Sequence, residues 1–347
     1  MSKYIFKNNG KSNELYKFIF LCGSKYVQSD TTDKRNVLKE HLKKINDLYR
    51  IIILEENFTF SNKKKYLNCG DIYMRNLYDV EFLVSQLSDV IFILHESIST
   101  GAEAGLFLGE YSNREKTCLI LPNIEAVEEN KLGTFLKLSF FKGENTVKQI
   151  TYYPSVKNNI TSINLRNLHT SFVNNSVGKS LTKNILDFIE SRTKSFEIGK
   201  KEFVFNFKEN KLTVKTAPEK VLYCVAAMLS IGEISDKIFS KSMTLESVID
   251  ILIKELKQIL ISTYEEVKGY KFDIDPEVCF ESEKGTIKRM IGMTLYLFNA
   301  AGFMDIRKNE TYSKDKKVTL EKSKDRSNFF FTKYSSLIDV IEEEKIW

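Results

Sequence analysis

At 347 residues the chain is long enough for two or more domains, each with its own core. Hydrophobic residues make up 42% and charged residues 28%, and only four prolines and fifteen glycines are present, which argues against long disordered linkers. The net charge of +6, from 52 basic and 46 acidic residues, permits contact with nucleic acid without demanding it.

The five cysteines, at 22, 69, 118, 224 and 279, are scattered, and no C-x-x-C pair occurs. The three histidines, at 41, 95 and 169, are far apart. This spacing predicts neither a structural zinc site nor a disulfide framework, and no metal or cofactor is expected. The thiols fit a reducing cytoplasm. The start M-S-K-Y-I-F-K-N-N-G lacks an apolar signal core, and no run approaches about 18 apolar residues. The expectation is a cytoplasmic protein with no membrane contact.

In chain order, residues 1–16 read as a polar leader. F-I-F-L-C at 18–22 suits a buried strand, closed by Gly23 and Ser24. A helix is expected from about 33 to 49, with Asp33 as N-cap. A second strand covers 50–54. A loop at 57–70 leads to a helix over about 71–88. Strands at 89–94 and 117–121 flank a helix that carries Glu103. The β-α-β-α-β-α-β order with continuous apolar strands predicts an α/β fold, a doubly wound parallel sheet.

Beyond residue 125 the pattern weakens. A helix at 131–141, a strand at 149–153, a loop-rich region at 155–180 and a helix at 181–192 follow. Residues 203–207 and 212–214 flank Glu209 and Asn210 as a hairpin would. Helices over 220–229, 244–265 and 285–302 come next. M-D-I-R, a basic stretch to 326 and F-F-F-T then suggest a two-stranded wing, and 337–341 a short closing helix. That order is the grammar of a mostly helical winged-helix domain. The expected divisions are 1–154, a connecting region at 155–217, and 218–347.

The stretch D-V-I-F-I-L-H-E-S-I-S-T-G-A-E-A-G-L-F-L at 89–108 organises the functional reading. It is a buried strand, a polar turn and a helix opening in small residues, at the edge where open sheets bind ligands. Thr100-Gly101-Ala102-Glu103 has the spacing of a capping box, in which Glu103 serves only a helix start. The same carboxylate could instead attack an anomeric carbon, as in retaining glycosyl transfer. Spacing alone does not separate the two. Glu96 could hold a ribose hydroxyl, or be a solvated loop charge. Ser97 and Ser99 could donate to a sugar or phosphate, or cap the helix. Gly23 and Ser24 could turn backbone N–H groups to an anion, or simply form a tight turn. Glu81 faces the same region on its helix, or is an ordinary helix charge. N-S-V-G-K-S at 175–180 mimics a phosphate loop, but Val173 stands where that motif needs glycine.

Taken together, I-F-L-C-G at 19–23, D-V-I-F-I-L-H-E-S at 89–97 and T-G-A-E-A-G-L-F at 100–107 resemble the nucleoside deoxyribosyltransferase-like domain of retron effector proteins. The resemblance covers about residues 17–122, and the C-terminal helices and wing match the winged-helix domain of those effectors in order and length. It implies an anti-phage toxin with N-glycosidase-like cleavage of a nucleotide-type small molecule, with NAD as one candidate. It implies as partners the retron reverse transcriptase and msDNA, an RNA–DNA hybrid, which hold the toxin inactive, with higher-order assembly an open matter. Glu103 falls on the nucleophile position, and Glu96 and Ser97 in the substrate loop. Phe20 stands where deoxyribosyltransferases often place a tyrosine, which favours the effector over a salvage enzyme. The rival readings are a non-catalytic nucleotide sensor fused to a DNA-binding regulatory domain, and a Toll/interleukin-receptor-like NAD hydrolase.

Overall fold

Five short apolar runs assemble into one parallel sheet in the computed structural model, which describes residues 3–7, 15–23, 26–27, 29–57, 69–95, 98–122, 149–153, 172, 175–192, 203–239, 241–282, 286–308, 317–323 and 327–341. After an initial strand β1 (Lys3–Phe6), the sheet strands are β2 (Lys17–Gly23), β3 (Tyr49–Ile52), β4 (Val90–Leu94), β5 (Thr117–Leu121) and β6 (Ile150–Tyr152). The associated helices are α1 (Lys34–Ile45), the single turn α2 (Leu54–Asn57), α4 (Ile98–Gly109), α5 (Tyr111–Glu115) and α6 (Lys179–Ser191); α3 (Leu77–Leu87) lies elsewhere. The chain divides into two compact units, one of residues 16–56 and 88–193, the other of residues 1–15, 57–87 and 194–347.

The sheet order is β3-β2-β4-β5-β6, all parallel. Every residue of β4 and β5 is buried, as strands covered on both faces require. On one face Ile19, Leu21, Phe92 and Ile120 pack with Val37 and Leu42 of α1 and Ile185 and Phe188 of α6. On the other face α4 lies against β2 and β4, with Phe107 edge-on to Phe20 at 5.8 Å between ring centroids. Asp89 fixes the entry to β4. Its Oδ2 accepts from Phe18 N, and its own N–H donates to Phe18 O, both at 2.8 Å. Because β2 and β4 are neighbours while their helices leave on opposite faces, a crevice opens at their carboxyl ends. This is the topological switch point where such sheets bind ligands.

The second unit is built on β7 (Phe203–Lys208), β8 (Lys211–Thr216), α7 (Pro218–Met228), α8 (Gly232–Ile238), β9 (Ser242–Thr244), α9 (Leu245–Lys268), β10 (Glu277–Glu281), α10 (Ile287–Ala300), β11 (Met304–Lys308), β12 (Lys317–Lys322), α11 (Ser327–Ser335) and β13 (Ile338–Ile341). Glu209 and Asn210 both have positive φ, and so form the tight turn that matches strand twist in the β7–β8 hairpin. β10 then adds to β8 in parallel, making three strands. Thr244 caps α9 through Ser247 N, and Gly269 ends it in the left-handed conformation. Thr286 caps α10 through Arg289 N. Residues 290–298 of α10 are all buried, because the helix packs on α3, α7, α9 and the 3-10 turn Cys69–Ile72.

Several expectations need correction. The helix expected over 71–88 is a 3-10 turn followed by α3, and it packs on α7 and α10 outside the sheet unit. Its apolar stripe required burial but did not specify the covering surface; even Ser85 and Gln86 are buried. The strand expected over 50–54 ends at Ile52, and Leu54 opens α2. The polar leader holds β1, and residues 337–341 are not a helix. The β-branched run I-D-V-I forms β13 and pairs antiparallel with β1. In place of the expected two-stranded wing stands a three-stranded sheet, in the order β11-β12-β9. Its second strand is β12, while the F-F-F-T run lies in α11. The helix expected at 131–141 and most of 155–180 lie outside the described residues.

Candidate functional site

The sequence after β4 builds one wall of the crevice. His95 leaves the strand, and α4 has already begun at Ile98. Thr100 is therefore two residues inside the helix and does not occupy the N-cap position that a Thr100–Glu103 capping box needs. The Thr100 hydroxyl shares a hydrogen bond with His95 Nδ1 at 3.0 Å. This bond ties the turn to the first helical turn. A Cβ at Gly101 would meet His95 Cε1 at 3.5 Å, so the imidazole lies over the small residue.

Glu103 follows Thr100 by three residues and precedes Phe107 by four. These positions share one helical face. Thr100 and Phe107 are fully buried, and Phe107 touches Phe20 of β2. Glu103 is thus on the sheet-facing side of α4, in its second turn. Its residue is half-buried, and its Oε2 atom is shut off from solvent. Ala102 and Gly105, on the outer side, are exposed. Gly105 has nothing within 4 Å of an added Cβ, so sheet packing does not demand glycine there.

The opposite wall comes from the end of β2 and the start of α1. A cavity of about 220 Å³ lies there, lined by Gly23, Asp30, Thr32, Asp33, Lys34, Arg35 and Leu94. Gly23 is needed for geometry, since a Cβ would meet Arg35 Cδ at 3.0 Å and Nε at 3.2 Å. The Arg35 side chain is only 3% exposed. Its Nη1 donates to Glu55 Oε1 at 2.9 Å, and its guanidinium stacks on Tyr26 at 4.9 Å from the ring centroid. Asp33 Oδ1 accepts from Arg35 N at 2.8 Å and from Asn36 N at 3.4 Å, capping α1 as expected. Asp30 Oδ1 accepts from both the N–H and the hydroxyl of Thr32, and these bonds hold its carboxyl below the usual range. Tyr26 donates to Glu56, which Lys39 also clamps. Burial and the Glu56 carboxylate raise the Tyr26 phenol.

Of the residues expected from sequence, Gly23 and Glu103 belong to the sheet unit and to its switch-point strands and helix. Ser99 lies in the first turn of α4. Glu81 is half-buried on α3, in the other compact unit. Ser24, Glu96 and Ser97 lie outside the described residues. Sequence reasoning missed Arg35, Asp30 and Glu55. One signal was available: α1 opens with Lys34-Arg35 and has no acidic residue in its first turn. Cations are disfavoured at the positive end of a helix, so a basic pair there calls for another role.

A family model described as STM3845 retron effector protein matches residues 31–305. The match begins just before α1, includes α4 with Glu103, and runs into β11. This chain belongs to the STM3845 retron effector protein family. Membership implies an anti-phage effector role and association with retron components. No curated protein matches the chain. Among the described residues no helix of this effector is long and apolar enough to cross a membrane, and no group of His, Cys, Asp and Glu is placed to hold a metal ion. Cys22, Cys118, Cys224 and Cys279 form no disulfide, and burial pushes the Cys118 and Cys224 thiols up.

Proposed function

We propose that this retron effector is a toxin with N-glycosidase-like activity on a nucleotide-type substrate, with NAD as one candidate. Glu103 is the nucleophile. One of its carboxylate oxygens bonds to C1′ of the ribosyl group while the C1′–N bond breaks, and the bonding electron pair leaves with the base nitrogen. Water then attacks C1′, the glutamyl ester opens, and the proton passes to solvent. The observation that carries this reading is the placement of Glu103: on the sheet-facing side of α4, one helix beyond the switch-point strand, with Oε2 closed to solvent. A partly desolvated carboxylate is a stronger nucleophile than a hydrated one.

The sheet unit is read as a nucleoside deoxyribosyltransferase-like domain. The other unit is read as a winged helix, supported by the order α8-β9-α9-α10-β11-β12, into which β10 is inserted between α9 and α10, and by β12 lying between β9 and β11. Retron reverse transcriptase and msDNA are the proposed restraints on activity. The test incubates purified wild-type and Glu103→Gln protein, with and without reverse transcriptase and msDNA, with NAD, nucleotides and nucleosides, and measures free base by chromatography. Base release by wild type alone, lost in a folded Glu103→Gln protein, is the expected result. Full base release or full toxicity by folded Glu103→Gln would sink the reading.

A further inference from the structure

The face of the sheet that carries α1 and α6 holds a surface that the proposed chemistry does not use. An open groove of about 810 Å³ runs between the two helices, and Ile45, Thr182, Lys183, Leu186 and Asp187 help to line it. α6 buries Leu181, Ile185, Phe188 and Ile189 in the core of the sheet unit. Its outward side carries Lys179, Lys183, Asp187 and Glu190, all exposed. Steps of 4, 4 and 3 residues keep these charges on one stripe. Their order is wrong for a helix alone. A helix favours anions at its amino end and cations at its carboxyl end. α6 has no acidic residue in its first turn and no basic residue in its last; Lys179 opens it, and Glu190 stands one residue from its end. A lysine four residues ahead of an acid is also the weaker order for pairing within a helix. Lys179, Lys183 and Asp187 make no ion pair among the described residues.

A second α6 laid antiparallel against the first matches this order. Ile185 is the midpoint of α6. Lys183 and Asp187 stand roughly 3 Å to either side of it along the axis, and Lys179 and Glu190 roughly 9 and 7.5 Å. A twofold axis at this level sets Lys183 of each copy against the partner's Asp187. It sets Lys179 beside the acidic end of the other helix, where that helix's dipole is also negative. Between the charges lie the half-buried Leu186 and, across the groove, Ile45, which is 41% exposed. Glu190 has a further interaction within the chain. The pairing does not need its release, since a carboxylate accepts at both oxygens. On α1, Glu40 and Lys43 pair with each other at 3.3 Å, and Lys44 gains no partner. We infer that this effector self-associates as a twofold dimer through antiparallel α6 helices. Exposed ion pairs around a small apolar centre make the dimer weak and sensitive to salt. α4 lies on the other face of the sheet, so the pairing is independent of Glu103 and its chemistry.

Sedimentation equilibrium of the full chain tests this pairing. Wild type should self-associate at about 0.1 mM protein in about 50 mM salt, and about tenfold or more weakly in about 500 mM salt. Lys183→Asp and Asp187→Lys each set like charges face to face across the twofold axis. Each should weaken association about tenfold or more, with the melting temperature unchanged. An equimolar mixture of the two variants should associate again, to within about threefold of wild type, because one copy then offers only acids at the two positions and the other only lysines. Ion pairing inside one helix cannot produce that rescue. Wild type that stays monomeric at about 0.1 mM, single variants that associate as wild type does, or a mixture no tighter than either variant alone would each overturn the inference. If one variant fails to fold, the double change Lys183→Asp with Asp187→Lys decides. It restores both pairs and should associate as wild type does, and a monomer would overturn the assignment.

Discussion

Two helices carry the contrast between the compact units. In the sheet unit, α4 sets Glu103 on its inner face with one oxygen closed to solvent, and leaves Ala102 and Gly105 exposed on its outer side. In the other unit, residues 290–298 of α10 are all buried. A helix whose whole circumference is covered cannot enter a major groove. Lys288, near its exposed start, is taken by Asp250 and Glu246. One unit therefore holds a half-buried carboxylate beside its sheet, and the other spends its central helix on its own core. The DNA-regulator reading draws least support from this architecture, since partners of the second unit must meet surfaces other than residues 290–298 of α10.

The sharpest way to break that contrast is at Glu103. Glu103→Gln is nearly isosteric, so the protein should fold with an unchanged melting temperature while base release falls by about 10⁴-fold or more. A stability loss with little change in turnover would make Glu103 a structural group, as Thr244 and Thr286 are at their helices, and would remove the functional difference between the units.

In the second unit the largest effect should fall on stability instead. Lys308 Nζ meets Asp71 Oδ2 at 2.9 Å, with side chains 5% and 8% exposed. The pair joins β11 to the 3-10 turn packed on α10. Asp71→Ala takes a buried ionic partner from Lys308 and should cost about 3–5 kcal/mol in urea unfolding. The double change Asp71→Leu with Lys308→Met should recover much of that loss, since an apolar pair leaves no buried charge. A fall in base release larger than the loss of folded protein would show that the second unit does more than support its own core.

Much of the sheet unit was legible because its signals are local. Continuous apolar strands, Asp33 before a helical stripe, and small residues after a strand each specify their own structure within a few residues. The β7–β8 turn was legible for the same reason: Glu209-Asn210 between alternating segments accommodates positive φ. What failed was pairing at a distance. Nothing in K-Y-I-F names I-D-V-I as its partner, and nothing in the α3 stripe says that α7 and α10 will cover it. The site was half legible. Glu103 could be found from its helix start, but Arg35 reaches the cavity only because Gly23 lacks a side chain, a relation between a strand end and the next helix that spacing does not encode.

A smaller effect should separate scaffold from chemistry within the sheet unit itself. Asp33 lines the cavity and caps α1. Asp33→Asn keeps a capping oxygen, and Asp33→Ala removes it, which should cost about 1 kcal/mol. If Asp33 is only a cap, stability and base release should both be near normal in Asp33→Asn. A normal melting temperature with reduced turnover in Asp33→Asn would instead place its charge in substrate recognition.

The smallest predicted effect concerns the face of the sheet away from Glu103. His41 on α1 shares a 2.8 Å hydrogen bond with Thr182 of α6. Burial, and then Lys44, hold its imidazole below the ordinary histidine value. The folded state thus binds a proton at His41 less readily than the unfolded chain does. Its contribution to stability is present above the unfolded value of about 6.5, and is lost as pH falls through that value towards the lower folded one. Urea midpoints of wild type should therefore drop more between pH 7.5 and pH 5.5 than those of His41→Asn, while the pH profile of base release stays the same in the two proteins. If the two midpoints fall in parallel, the α1–α6 contact does not sense protonation. If the activity profile moves with His41, the two faces of the sheet are coupled, and the division between a reacting face and a supporting face would have to be withdrawn.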